Sequence, residues 1–267
     1  MEVVLVTKWF AQLWDYQVIN PGLELLFDNF DIIQEEFREN LPRLSWREWG
    51  YQAGYTGHNK IAYDGWEVAG LYGEYDGYLD GGDERYDTVW DDDSSFYRRP
   101  YKPGTENNSL PDFYKQVQWT GGLENLPESK GPEYLYPNTD LKVVFTDNCH
   151  VLPKLTKLLY DSGVRRRVGV SVTHPGRGIG WHADQDPERM DEMVIRGIIG
   201  LDVRVKVGEE CYLGLGTPRN EIKRDIRNKE SFFFYSRVPH HVVNTLEYPR
   251  YCIILDHSHS KDTLRNK

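Results

Sequence analysis

From Val168 onward the chain is written as short β-rich runs cut by turn residues, and this rhythm restricts the fold more than any other feature. Val168-Gly169-Val170-Ser171-Val172 alternates with the two-residue period of a strand. Met193–Val203 and Ser231–Tyr235 are apolar and rich in β-branched or aromatic residues, and His240–Asn244 and Tyr251–Leu255 follow. Pro175-Gly176, Gly214 to Pro218, Pro239 and Pro249 separate them. Such spacing predicts an antiparallel sandwich or barrel. Ahead of it, two helices are predicted. Phe30–Leu41 carries Ile32, Ile33, Phe37 and Leu41 near helical spacing, and Leu152–Ser162 carries Leu155, Leu158 and Leu159 with a stop at Gly163. The expected class is mainly β with flanking helices.

The 267 residues suffice for one large domain, or for a core with an elaborate cap, and 39% hydrophobic content allows a sizeable core. A formal net charge of -10 argues against a broad basic surface for nucleic acid. Arg165-Arg166-Arg167, the one tight basic cluster, reads as a solvated turn. Cys149, Cys211 and Cys252 are odd in number and form no CxxC pair, which predicts reduced thiols in a cytoplasmic protein. The N-terminus has no secretory-signal pattern, and no apolar run approaches the roughly 20 residues that span a bilayer.

Residues 44–120 differ in composition, with abundant Trp, Tyr, Gly and Asp. Residues 74–93 hold nine carboxylates whose spacing does not match a calcium loop. They read as an acidic surface loop, and the interleaved aromatics alternatively as a lid over a pocket. The expected organisation is a cap or substrate-lid region over 1–140 and a β core over 141–267, integrated as one domain.

Among the β runs lies His182-Ala183-Asp184. Residues i and i+2 of a strand face the same way, so one imidazole and one carboxylate can meet at one ion. His240, fifty-eight residues on, offers a second imidazole from another strand. Two histidines and a carboxylate form the ligand set of a non-haem Fe(II) site with open positions. Singly, each histidine also fits a hydrogen-bonded strand position; the set points to a metal. Arg250, ten residues after His240, adds a fixed cation for an acidic cosubstrate. If His240–Asn244 and Arg250–Asp256 form a hairpin, the turn Thr245–Pro249 pairs Asn244 with Arg250. Arg250 then shares a face with His240, roughly 13 Å along the strand. His241 points the other way and reads as structural. Trp181 reads as core or pocket wall, Asn244 as orienting a neighbour or satisfying the turn, and Asp186 and Glu188 as loop surface. His174 has no partner at useful spacing, and His257-Ser258-His259 reads as a solvated tail.

The span from about 165 to 257 resembles the Fe(II)/2-oxoglutarate-dependent oxygenases, in particular the aspartyl/asparaginyl β-hydroxylase branch, which includes free-amino-acid hydroxylases. The matching stretches are Pro175-Gly176 before His182, then Arg196-Gly197-Ile198-Ile199-Gly200-Leu201, then His240-x-Val242-x-Asn244 with Arg250. The resemblance implies a double-stranded β-helix core of jelly-roll or cupin-like type under an N-terminal cap. It implies Fe(II) on His182, Asp184 and His240, with two positions left for 2-oxoglutarate and one for O2. Arg250 would hold the distal carboxylate of 2-oxoglutarate in a bidentate fork, and Ser171 falls where the branch places a hydroxyl for that carboxylate. The HxVxN spacing and the ten-residue step both select His240 over His241.

Two departures stand out. Ile198 occupies a position where the branch often has a histidine that helps hold 2-oxoglutarate, so Arg196 or another group is expected to substitute. Asp184 keeps a carboxylate that some protein-modifying members lack, which favours hydroxylation over halogenation. The expected enzyme hydroxylates an unactivated C–H of an amino acid, an amino-acid-derived small molecule or a peptide side chain. Two other classes fit parts of the pattern. A non-oxidative cupin-type metal enzyme such as an isomerase leaves Arg250 without a purpose. A non-catalytic binding module on the same fold has no need of an intact ligand set.

Overall fold

The computed structural model describes residues 12–48, 66–74, 117–132, 134–184 and 192–260. The acidic run after Glu74, and Asp186 and Glu188, lie outside the described residues. The strands are β1 (Leu13–Trp14), β2 (Arg47–Glu48), β3 (Trp66–Glu74), β4 (Leu135–Asn138), β5 (Val143–Thr146), β6 (Arg167–Thr173), β7 (Gly178–His182), β8 (Glu192–Asp202), β9 (Cys211–Thr217), β10 (Asn220–Asp225), β11 (Ser231–Tyr235), β12 (His240–Asn244) and β13 (Arg250–Ser260). They build two antiparallel sheets. The larger runs β1-β11-β8-β13-β6-β3-β5-β4, with β2 on β3, and the smaller runs β10-β9-β12-β7. Between β6 and β13 the chain passes back and forth between the two sheets, with β9 and β10 both in the smaller one. That order, β6-β13-β8-β11 facing β7-β12-β9-β10, is a double-stranded β-helix of jelly-roll type.

The larger sheet is covered on both faces. Helix α1 (Phe30–Asn40) buries Phe30, Ile33 and Phe37, and the Phe37 ring meets Tyr251 of β13 at 5.0 Å. Pro42 follows the helix and cannot continue it. Helix α2 (Pro153–Asp161) begins on a proline, buries Leu155 and Leu159, and is followed by Gly163 at φ 83. The Glu36 carboxylate of α1 accepts from the backbone N–H groups of Lys154 and Leu155, both at 2.9 Å, and so caps the start of α2. Among the described residues, no helix is long and apolar enough to cross a membrane.

Several elements depart from the sequence reading. β3 (Trp66–Glu74), in the region assigned to a cap, is a strand of the core sheet lying between β6 and β5. β4 (Leu135–Asn138), also ahead of residue 141, extends the same sheet. Gly214 and Gly216 lie inside β9, not in a turn. A side chain at Gly214 would collide with the His241–Glu221 pair that crosses above it. The basic cluster is not a solvated turn. Arg165 lies over the Tyr160 ring at 3.5 Å, and Arg167 is buried as the first residue of β6. β13 continues to Ser260, so His257 and His259 are strand residues and not a tail.

Candidate metal centre and anion site

β7 and β12 are neighbours, and His182 and His240 are direct cross-strand partners with ring centroids 4.1 Å apart. Each ring is oriented by its own strand. Nδ1 of His182 lies 2.8 Å from the Gly180 carbonyl, and Nδ1 of His240 lies 2.8 Å from the Val238 carbonyl. A carbonyl only accepts, so Nδ1 carries a proton in both rings and Nε2 is the nitrogen left to face a ligand. Both Nε2 atoms face Asp184, at 3.7 Å from Oδ1 for His182 and 3.9 Å from Oδ2 for His240. The three donors lie within 4.8 Å of one another.

Asp184 lies just past the end of β7, not on an extended strand with His182. Its backbone N–H donates to the Ser236 carbonyl at 3.1 Å, which ties this segment to the residue after β11. The carboxylate then reaches Nη1 of Arg196 on β8. Two imidazoles oriented through Nδ1 beside a carboxylate suit a divalent ion of the iron or zinc type. Cis donors around such an ion stand about 3 Å apart, given bonds of roughly 2.0–2.2 Å. The observed spacing is slightly wider.

The inner face of the larger sheet forms a ladder of rows leading away from this point. Arg167, Asp256, Arg196 and Phe234 are successive cross-strand partners, and the next row is Gly169, Ile254, Ile198 and Phe232. Ile198 therefore adds an apolar rung beside Arg196, and no donor stands there. Ser171 pairs with Cys252, and Thr173 with Arg250. Arg196 gives Nε to Asp256 Oδ1 at 2.8 Å and Nη2 to Asp256 Oδ2 at 2.9 Å. Among the described residues, Arg196 thus faces two carboxylates.

Arg250 occupies the far end of the ladder and is 2% exposed. Its Nη2 donates to the Thr173 hydroxyl at 2.6 Å, while the buried Nε meets no acceptor. No carboxylate pairs with Arg250 among the described residues. The thiol of Cys211 also lies against it; burial raises that thiol's pKa and Arg250 pulls it partly back. An uncompensated buried guanidinium with an orphan N–H fits an anionic ligand. The Ser171 hydroxyl lies 3.4 Å from the Cys252 carbonyl, two residues along the same face from Thr173. Thr173 was not singled out from the sequence, although its i+2 relation to Ser171 carried the signal.

The expected hairpin does not form. β12 belongs to the smaller sheet and β13 to the larger, so residues 245–249 cross between sheets. The Asn244 amide donates to the Thr173 and His174 carbonyls at 3.1 and 3.0 Å, pinning the end of β12 to β6 beside Arg250. Asn244, four residues along β12 from His240, and Arg250 are thus brought to one level through Thr173 of β6, not through a hairpin. His241 does face outward, stacked on Trp181 at 4.2 Å and paired with Glu221, so Trp181 belongs to the outer face of the smaller sheet. His174 has a partner after all, with Nε2 2.6 Å from Glu67 Oε2.

The family model described as aspartyl/asparaginyl beta-hydroxylase matches residues 28–260. A prolyl-4-hydroxylase of Pseudomonas putida shares 15% identity over 39% of this chain and 59% of its own, with a TM-score of 0.29. The viral collagen prolyl hydroxylase of Paramecium Bursaria Chlorella virus-1, solved with 2-oxoglutarate, shares 16% identity over 41% of this chain and 72% of its own, with a TM-score of 0.30. EvdO2 of Micromonospora carbonacea shares 13% over 42% and 65%, with a TM-score of 0.33. No curated protein sequence matches the chain. The strand order of the two sheets, not these partial overlaps, establishes the fold.

Proposed function

The chain belongs to the aspartyl/asparaginyl β-hydroxylase family, and from that premise we propose that it is an Fe(II)- and 2-oxoglutarate-dependent dioxygenase. Its substrate class is an amino acid, an amino-acid-derived small molecule or a peptide side chain, hydroxylated at an unactivated C–H. The observation that carries the reading is the convergence of the His182, Asp184 and His240 donors within 4.8 Å, both imidazoles having Nδ1 tied to backbone carbonyls.

His182, Asp184 and His240 would hold the iron. Bound iron supplies activation of O2 coupled to oxidative decarboxylation of 2-oxoglutarate. Arg250 would take the distal carboxylate, with the Thr173 hydroxyl orienting the guanidinium and Ser171 beside it on the same face. The apolar rung of Ile254, Ile198 and Phe232 would exclude water between the two charged ends. A non-oxidative cupin-type enzyme would use the three donors but has no use for a buried, unpaired guanidinium farther along the same face.

The test begins without oxygen. Fe(II) and 2-oxoglutarate together should give a weak visible charge-transfer band. Admission of O2 with a panel of amino acids and peptides should then raise succinate formation for some of them, with a product 16 mass units heavier. Folded protein that gives no band with iron and 2-oxoglutarate would sink the proposal.

A further inference from the structure

One transverse row of the larger sheet stands behind both metal-facing strands. Gly73, Arg167, Asp256, Arg196 and Phe234 are direct neighbours on β3, β6, β13, β8 and β11. Direct partners share a face, and the contact from Arg196 to Asp184 identifies that face as the inner one. The charges along the row alternate. Asp256 is 1% exposed and Arg196 3%, and the row's other cation, Arg167, reaches Asp256 Oδ2 at 3.3 Å. The Arg196–Asp256 fork fixes the guanidinium plane and sends Nη1 to Asp184 Oδ2. At the end of the row the Phe234 ring meets His240 edge-on at 4.9 Å.

Asp256 takes two donors of Arg196 and one of Arg167, which is enough to explain a buried structural pair. The third contact of Arg196 falls on a candidate metal ligand, and that has a chemical consequence. A carboxylate binds an ion through one oxygen or through both, and the second mode occupies a further position on the ion. An oxygen bonded to a guanidinium has a lone pair committed and part of its charge neutralised. We propose that Arg196 is a positioning residue that makes Asp184 a one-oxygen ligand. It holds Oδ2, which lies 3.9 Å from His240 Nε2, and leaves to the metal Oδ1, which lies 3.7 Å from His182 Nε2. Asp256, with Arg167, holds Arg196 in turn. The inference rests on the metal-centre reading above and deepens it: Arg196 guards an open position, where the sequence suggested that it grips 2-oxoglutarate.

The test uses the 267-residue chain, Co(II) as the probe, and no 2-oxoglutarate, with thermal unfolding followed in parallel. Arg196→Gln should weaken Co(II) binding about 10- to 100-fold, the usual cost of removing an outer partner of a metal ligand. It should also alter the Co(II) visible bands, because the carboxylate is free to bind through both oxygens. Arg196→Lys keeps the charge but loses the fork, and should fall between Arg196→Gln and wild type in both readouts. Asp256→Asn touches none of the three donors and should move both readouts in the same direction by less. A lowered melting temperature with wild-type Co(II) affinity and bands would mean a merely structural role and would overturn the proposal. If Arg196→Gln does not fold, unchanged bands in Arg196→Lys overturn it equally. Wild-type protein that binds no Co(II) would overturn the metal reading itself, so the two failures are distinguishable.

Discussion

The two ends of the inner face are each built on a buried arginine of the larger sheet, and they are completed in opposite ways. Arg196 is enclosed by Asp256 and Asp184. Arg250 meets a hydroxyl and a thiol, has no carboxylate among the described residues, and leaves Nε without an acceptor. Burying an ion without a counter-ion costs several kcal/mol. The fold therefore uses Arg196 as part of its own charge balance, whereas the charge of Arg250 is balanced by no described carboxylate, as the proposed 2-oxoglutarate site requires.

The largest expected effect tests whether the Arg196 end is a metal centre at all. His182→Ala, Asp184→Ala or His240→Ala should each reduce succinate formation to the background of an enzyme-free mixture. Succinate at wild-type rates in any of the three would break the assignment.

Next comes a pair of substitutions with opposite consequences for stability. Arg196→Leu leaves Asp256, 1% exposed, with Arg167 as its remaining cation and should cost up to about 3–5 kcal/mol in urea unfolding. Arg250→Leu removes an unpaired buried charge and should leave the ligand-free protein as stable as wild type, or more so. The same Arg250→Leu should raise the KM for 2-oxoglutarate about 30-fold or more, given roughly 2–5 kcal/mol for losing one partner of a buried charge pair. Its Co(II) binding should stay near wild type. Equal destabilisation by the two substitutions would erase the distinction between the arginines.

What the sequence disclosed of this arrangement follows from which faces are wet. β12 sits in a sheet whose outer face meets solvent, so His240, Val242 and Asn244 turn in while His241 and Val243 turn out, and the parity was readable. β3 is covered on both faces, and its Trp66–Glu74 run with Ala69 and Gly70 shows no alternation, so it passed as cap. Gly214 looked like a turn because its reason for being glycine, the His241–Glu221 pair, involves residues distant in the chain. The crossing between β12 and β13 depends on the Asn244 amide finding β6, about seventy residues away in sequence, which no local pattern encodes. For the same reason the grouping of His182, Asp184 and His240 was legible but the partners of Arg196 were not.

A smaller effect lies on the outer face of β13, next to Asp256. Burial, reinforced by His259, pushes the His257 pKa from 6.5 down to about 4, and Nε2 lies 3.2 Å from the Asn20 amide nitrogen, which donates to it. The neutral ring is the buried form, so the unfolded chain takes up its proton first. Stability present above pH 6.5 is then lost as the pH falls toward 4, by at most about 3 kcal/mol. His257→Gln should flatten that part of the pH–stability curve while leaving 2-oxoglutarate binding unchanged. A wild-type slope in this variant would move the acid sensitivity to the charged row on the inner face.

The smallest effect resolves which hydroxyl serves the ligand-ready arginine. The resemblance to the family placed Ser171 at this carboxylate, whereas the hydroxyl that accepts from Arg250 is that of Thr173, at 2.6 Å. Thr173→Val keeps the shape and removes one neutral-to-charged hydrogen bond, worth roughly 1.5–3 kcal/mol at most and less where a ligand re-supplies it. Ser171→Ala removes a hydroxyl whose contact to the Cys252 carbonyl is long at 3.4 Å, so the ligand-free protein should lose little stability. If both hydroxyls meet the distal carboxylate, each substitution raises the KM for 2-oxoglutarate severalfold and the double variant raises it by the product. If Thr173 only orients Arg250, Thr173→Val has no further effect in an Arg250→Leu background, while Ser171→Ala still does. That double-mutant cycle, read in KM with Co(II) affinity as the control, separates a hydroxyl that touches the ligand from one that acts through the arginine.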